Sequence, residues 1–152
     1  MFDADSGSPL AVMDGELLTA MRTGAASGVA TDALAKKEAA TAAVIGAGAQ
    51  GMRQLEAVCC VRTIRDALVF DADRERASAF ATDMGRRLGR TVRVLEAVSG
   101  VFAADIVCTA TTSNLPVVGD TDLARGAHVN AIGSYRPETR EIMGETVGRA
   151  TL

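Results

Sequence analysis

Thr41-Ala42-Ala43-Val44-Ile45-Gly46-Ala47-Gly48-Ala49-Gln50-Gly51 runs an apolar, strand-like segment straight into a Gly-x-Gly-x-x-Gly turn. Each glycine answers a different demand. Gly46 permits the sharp exit from the strand, Gly48 leaves room for backbone to approach a pyrophosphate, and Gly51 lets the following helix pack on the sheet. A helix over roughly Ala49 to Val61 then aims its unpaired N–H groups and positive dipole end at the phosphates. Such a turn alone is weak, but Val69-Phe70-Asp71 closes a second apolar run with a carboxylate 25 residues after Gly46, near the spacing of a ribose-binding acid. The alternative is a glycine-rich surface turn and an ordinary helix-capping aspartate. Strand, glycines and acid together favour a dinucleotide.

Composition narrows the classes further. The chain has 152 residues, of which 48% are hydrophobic but only 3% aromatic, so a core must be built from Ala, Val, Leu, Ile and Met, as in buried parallel sheets flanked by helices. Sixteen basic and nineteen acidic residues leave a net charge of −3 without a basic block or aromatic platform, which argues against nucleic acid as a partner. The three cysteines, two adjacent at Cys59 and Cys60, fit neither a disulfide framework nor a Cys-x-x-Cys metal clip. The expectation is a cytoplasmic protein with no metal and no membrane segment.

Working outward from the turn, Phe2 to Met13 reads as a hairpin about Asp5-Ser6-Gly7-Ser8-Pro9, and Asp14 caps a helix reaching about Ala35. Leu17, Leu18, Met21 and Ala25 mark its apolar face, with Gly24 and Gly28 as weak points. Residues 1–37 form this leading unit, and residues 38–152 the nucleotide-binding domain. Strands are predicted at Thr41–Ile45, Ala67–Phe70, Thr91–Leu95, Ile106–Ala110 and Val129–Gly133. A second amphipathic helix starts after Asp73, with Ala77, Phe80, Ala81, Met84 and Leu88 on one face and Gly89 at its end. Ser99–Ala103 reads as a turn. Alternating strands and helices give an α/β fold, a doubly wound, mostly parallel Rossmann sheet in the order 3-2-1-4-5 with helices on both faces.

Four stretches, in this order, resemble the ornithine cyclodeaminase/mu-crystallin family: Leu18-Thr19-Ala20-Met21-Arg22-Thr23-Gly24-Ala25-Ala26-Ser27, then Val44 to Gln50, then Ala104-Asp105-Ile106-Val107-Cys108-Thr109-Ala110-Thr111, then His128-Val129-Asn130-Ala131-Ile132-Gly133-Ser134. The resemblance implies an NAD(P)-dependent oxidoreductase of amino or imino acids, homodimeric at full length, with hydride exchanged at the substrate Cα. It also implies a longer parent, whose substrate and dimerisation domain draws on sequence before Met1 and after Leu152. Thr146 to Leu152 then stands where a further strand starts, and the isolated chain is expected to be inactive.

Site roles follow from the same resemblance. Arg22 matches the arginine that meets the substrate carboxylate and the cofactor phosphates, a task suited to a bidentate guanidinium; its alternative is a solvated helix arginine. The backbone amides of Ala49 and Gln50 match the pyrophosphate contacts, alongside Gly46, Gly48 and Gly51. Asp71 matches the ribose acid, Thr111 a cofactor contact, and Ile132, Gly133 and Ser134 the nicotinamide-ribose end. Asp71 favours NAD over NADP by repelling a 2′-phosphate, though Arg74 stands close enough in sequence to receive one.

Two positions depart from the cyclodeaminase branch. Tyr135 stands where that branch uses an aspartate for proton transfer, and Thr139 where a cofactor-contacting lysine is expected. A tyrosine, with a reference pKa of about 10, can donate a proton but is a poor base at neutral pH. This weakens ornithine deamination itself without removing cyclodeamination of ornithine to proline, and leaves open the family's other branches, in which NAD(P)H reduces a cyclic or N-substituted imino acid or an amino acid is oxidised. The alternative is a non-enzymatic crystallin-like binder or an inactive fragment. The only histidine, His128, falls at the strand end remote from a ligand crevice and reads as structural, and Cys108 as buried and inert.

Overall fold

Thr41–Ile45 forms β1, the middle strand of a five-stranded sheet in the computed structural model, which describes residues 1–151. The other strands are β2 (Asp66–Phe70), β3 (Val92–Val94), β4 (Ile106–Thr109) and β5 (His128–Ala131). All neighbouring pairs are parallel and the order is β3-β2-β1-β4-β5. Val44 lies between Val69 and Cys108, and Ile45 between Phe70 and Thr109, so the carboxyl ends of β2, β1 and β4 stop level with one another. That level edge receives the glycine turn.

Alternation along β1 divides the core. Ala42 and Val44 face one side, where Leu55 and Val58 of α2 (Ala49–Val61) and Phe80 and Met84 of α3 (Arg74–Leu88) cover the sheet. Ala43 and Ile45 face the other, against Val101 from a 3₁₀ helix over Val98–Ala103, Val118 and Ile142. That 3₁₀ helix occupies the predicted Ser99–Ala103 turn. Asp73 caps α3 by accepting from the Glu75 and Arg76 amides, and Gly89 ends it at φ 63°.

α1 (Gly15–Leu34), capped by Asp14, runs unbroken through Gly24 and Gly28. Its buried face carries small residues, Ala20, Gly24, Ser27, Gly28 and Thr31, and not the expected apolar stripe. Leu17, Leu18 and Met21 are about half exposed instead. The cause is a close approach to α2: a Cβ on Gly24 would sit 2.7 Å from the Arg53 carbonyl, and one on Gly28 would sit 3.3 Å from the Ala57 Cβ. Met21 and Val29 line an apolar groove of about 560 Å³ with Ala57, Cys60 and Val61.

Buried polar groups hold α1 down. Arg62, on the loop after α2, donates to the Thr31, Asp32, Ala35 and Lys36 carbonyls and to the Asp32 carboxylate, so a guanidinium closes the carbonyl end of α1. The same arginine, helped by Lys37, holds the Asp32 carboxyl below its ordinary value. Asn130 of β5 donates to the Thr31 hydroxyl at 3.0 Å.

Two terminal expectations need correction. The leading hairpin is reduced to one antiparallel bridge, Phe2 to Pro9, because the Asp3 carboxylate draws in the Asp5 and Ser6 amides and tightens the turn. The predicted strand at 146–152 is helical instead: α4 spans Gly144–Arg149, with Thr146 buried, while Leu152 lies outside the described residues. A Gly24→Ala substitution is expected to cost about 1–3 kcal/mol in denaturant unfolding, because the added methyl meets α2 backbone, whereas Gly28→Ala, facing a side-chain methyl, should cost less. Equal losses would contradict this packing.

Candidate dinucleotide-binding site

Gly46 leaves β1 at φ 103°, where its amide donates to the Phe70 carbonyl at 2.9 Å. A Cβ there would fall 2.5 Å from the Ala110 carbonyl oxygen, and one on Gly51 would fall 2.2 Å from the Gly46 carbonyl oxygen. Gly48 is different. Its backbone is extended, nothing lies within 4 Å of where its Cβ would stand, and it caps α2 without any side-chain hydrogen bond. Met52 is the first residue to donate back, to the Gly48 carbonyl at 3.1 Å, so the amides of residues 49–51 precede the intrahelical ladder. The first turn of α2 holds no acidic residue. Open space over uncapped amides at the positive end of a helix suits an anionic phosphate.

A cleft of about 400 Å³ opens beside this turn and brings together Gly46, Gly48, Asp71, Arg76, Thr111 and Ser113 from the ends of three strands. Asp71 accepts from the Ala47 amide through Oδ2 at 2.8 Å and from the Asp73 amide through Oδ1 at 2.9 Å. The carboxylate therefore shapes the glycine turn, and each oxygen keeps a second lone pair for a ligand hydroxyl. Arg74 does not face it. Its guanidinium pairs with both carboxylate oxygens of Glu96, an ion pair that holds the Glu96 carboxyl below its ordinary value. Arg76 is the arginine beside Asp71, at 4.0 Å, which sequence spacing alone did not separate from Arg74.

At the neighbouring strand end, Ile132 extends the β5 ladder by donating to the Thr109 carbonyl at 3.0 Å. Gly133 is buried, Ser134 exposed, and Tyr135 68% exposed with the Arg136 guanidinium 5.2 Å from its ring centroid. Thr139 serves its own loop, bonding the backbone of Arg136. Arg22 projects into solvent from α1 and forms no side-chain hydrogen bond or ion pair among the described residues, so it stands apart from the cleft lining.

Glu141 was not singled out from sequence, yet it is fully buried here. Its Oε1 accepts from the Thr111 amide, and its Oε2 from the Gly133 amide and the Thr109 hydroxyl, at 2.6, 2.6 and 2.7 Å. It lies in the polar run Arg136-Pro137-Glu138-Thr139-Arg140-Glu141, which has no periodicity to distinguish it from its exposed neighbours.

The ornithine cyclodeaminase/mu-crystallin family model matches residues 1–152. The chain belongs to this family. It is 38% identical over 149 residues to Delta(1)-pyrroline-2-carboxylate reductase of Bacillus cereus, covering 97% of this chain and 46% of that protein. Against ketimine reductase mu-crystallin of Mus musculus the identity is 34% over 152 residues, covering 100% and 48%. Among solved structures, Thermococcus litoralis Delta(1)-pyrroline-2-carboxylate reductase in complex with NADH and L-proline superposes with a TM-score of 0.93 at 44% identity, over 96% of this chain and 46% of that one. The chain thus spans about half the length of the relatives it matches.

Groups outside the cleft have structural surroundings. Cys108 is buried in β4, and burial pushes its thiol up to about 12. Among the described residues no cluster of His, Cys, Asp and Glu could hold a metal, and no helix is long and apolar enough to cross a membrane. His128, at the start of β5, is half-buried, with Nε2 3.2 Å from the Asn130 side-chain oxygen. Burial pulls its pKa below the ordinary histidine value, against the raising effect of that hydrogen bond. The fold therefore favours the neutral ring. Unfolded histidine titrates near 6.5, so the associated stability is complete above that pH and is lost as pH falls through the lower folded value. Denaturant midpoints should decline from pH 7.5 to 5.5, and His128→Gln should flatten the decline; an unchanged slope in the variant would assign it elsewhere.

Proposed function

We propose that this chain supplies the dinucleotide-binding part of an NAD-dependent oxidoreductase that reduces a cyclic or N-substituted imino acid to the amino acid. The supporting observation is Gly48, whose missing side chain leaves open space over the uncapped first turn of α2 in a cleft that also holds Asp71. When bound, the nicotinamide supplies hydride exchange at the substrate Cα. The chain's own residues bind and orient. The α2 amides and Gly48 take the pyrophosphate, Asp71 the adenosine ribose hydroxyls, and Thr111 with Ile132, Gly133 and Ser134 the nicotinamide ribose. Arg22 meets the substrate carboxylate, which requires a second wall to bring the substrate beside α1. At full length we propose a homodimer.

Imine reduction is favoured over cyclodeamination on two grounds. Tyr135 replaces the proton-transferring aspartate of the cyclodeaminase branch, and the relatives described above are named as reductases of pyrroline-2-carboxylate and of ketimines. In a protein carrying the whole parent sequence, NADH absorbance should fall steadily with a cyclic imino acid. Ammonia release from ornithine without net cofactor change would reverse the assignment.

Two binding measurements test the cofactor site. Gly48→Ala should weaken NAD binding by calorimetry about tenfold or more, while unfolding free energy stays within about 1 kcal/mol, since the new methyl meets no protein atom. Unchanged affinity would remove Gly48 from the cradle. NADH should bind more tightly than NADPH because the Asp71 carboxylate opposes a 2′-phosphate. The reverse ranking would assign the site to NADP, with Arg76 as the phosphate partner.

A further inference from the structure

We propose that Glu141 is a positioning residue that fixes the gap between the carboxyl ends of β4 and β5, and thereby seats the nicotinamide end of the dinucleotide; this rests on the cofactor reading above. A buried carboxylate carries a desolvation cost that its hydrogen bonds must offset. Glu141 has no cationic partner among the described residues, and three donors take that role: one amide just beyond β4, one just beyond β5, and the Thr109 hydroxyl. Its two carboxyl oxygens together offer enough lone pairs to receive all three at once.

The backbone of the same residue carries the arrangement further. Its carbonyl accepts from the Val117 and Val118 amides at 2.8 and 3.1 Å, and its amide donates to the Ser134 hydroxyl at 2.9 Å. Thr111 and Val117 both line the cleft, so Glu141 sets two parts of the cleft wall from behind. Gly133 has to be glycine for this bridge to form. A Cβ there would lie 2.4 Å from the Glu141 carboxyl carbon and 2.5 Å from the Thr111 carbonyl oxygen. With the Thr111 and Gly133 amides held by Glu141, a ligand at these strand ends meets a surface whose spacing is already fixed.

Glu141→Gln preserves the side-chain volume but turns an NH₂ group towards the Thr111 or the Gly133 amide. Calorimetric titration with NAD and with ADP, which lacks the nicotinamide and its ribose, separates positioning from general stability. The expected result is about tenfold weaker NAD binding with ADP affinity within about twofold, measured well below the melting temperature. Equal weakening of both ligands, or a lowered melting temperature with both affinities intact, would overturn the proposal. Wild-type chain that binds neither ligand would instead overturn the dinucleotide reading and the proposal with it. Should the Gln variant not fold, amide hydrogen exchange on the wild type decides: protection of Thr111 and Gly133 matching the β4 core supports the bridge, and exchange at the rate of exposed loop amides overturns it.

Discussion

The carboxyl edge of the sheet is held in shape by places where no side chain fits. Gly46 lies against the Ala110 carbonyl, Gly51 against the Gly46 carbonyl, and Gly133 against the Thr111 carbonyl. These three contacts bring β1, α2, β4 and β5 closer than any Cβ allows, and the cleft exists because the backbones meet there. Close packing makes such positions intolerant of even one methyl group. Gly48, in the same turn, has the opposite surroundings. Three glycines are consumed by protein and the fourth faces open space.

Buried polar groups do for the peripheral elements what the glycines do for the edge. Arg62 closes the carbonyl end of α1, Asn130 ties α1 to β5, and Glu141 ties the ends of β4 and β5 to the 117–118 segment. Each is satisfied by backbone or short side chains, without a buried counter-charge, so directional hydrogen bonds set the geometry. Apolar burial alone would let α1 slide, because its contact face is made of alanine, glycine, serine and threonine.

Local chemistry in the sequence was enough to locate β1, the glycine turn, the capping aspartates Asp14 and Asp73, the stop at Gly89 and the strand order, since each rests on neighbouring residues and short periods. The departures have one cause in common. Leu17, Leu18 and Met21 have helical spacing but face outward, because α2 approaches α1 too closely to accept them. Arg62 and Glu141 look like surface charges until the folded chain brings their partners 26–31 and 8–32 residues away in sequence into reach. Arg74 and Arg76 stand two residues apart, and only the Glu96 carboxylate from the neighbouring strand end decides which remains beside Asp71.

On the proposed cofactor reading, Asp71 would link cofactor choice to the shape of the turn. The carboxylate that would receive the ribose hydroxyls also holds the Ala47 amide, which sits between Gly46 and Gly48. Removing it relieves the repulsion of a 2′-phosphate, but it also loses a hydrogen bond that, beside the Gly46 amide on the Phe70 carbonyl, draws the glycine turn towards the end of β2. A change of cofactor preference at this site therefore needs a replacement that still accepts from Ala47 while exposing Arg76. An uncharged acceptor such as asparagine meets both conditions, and alanine meets only the second.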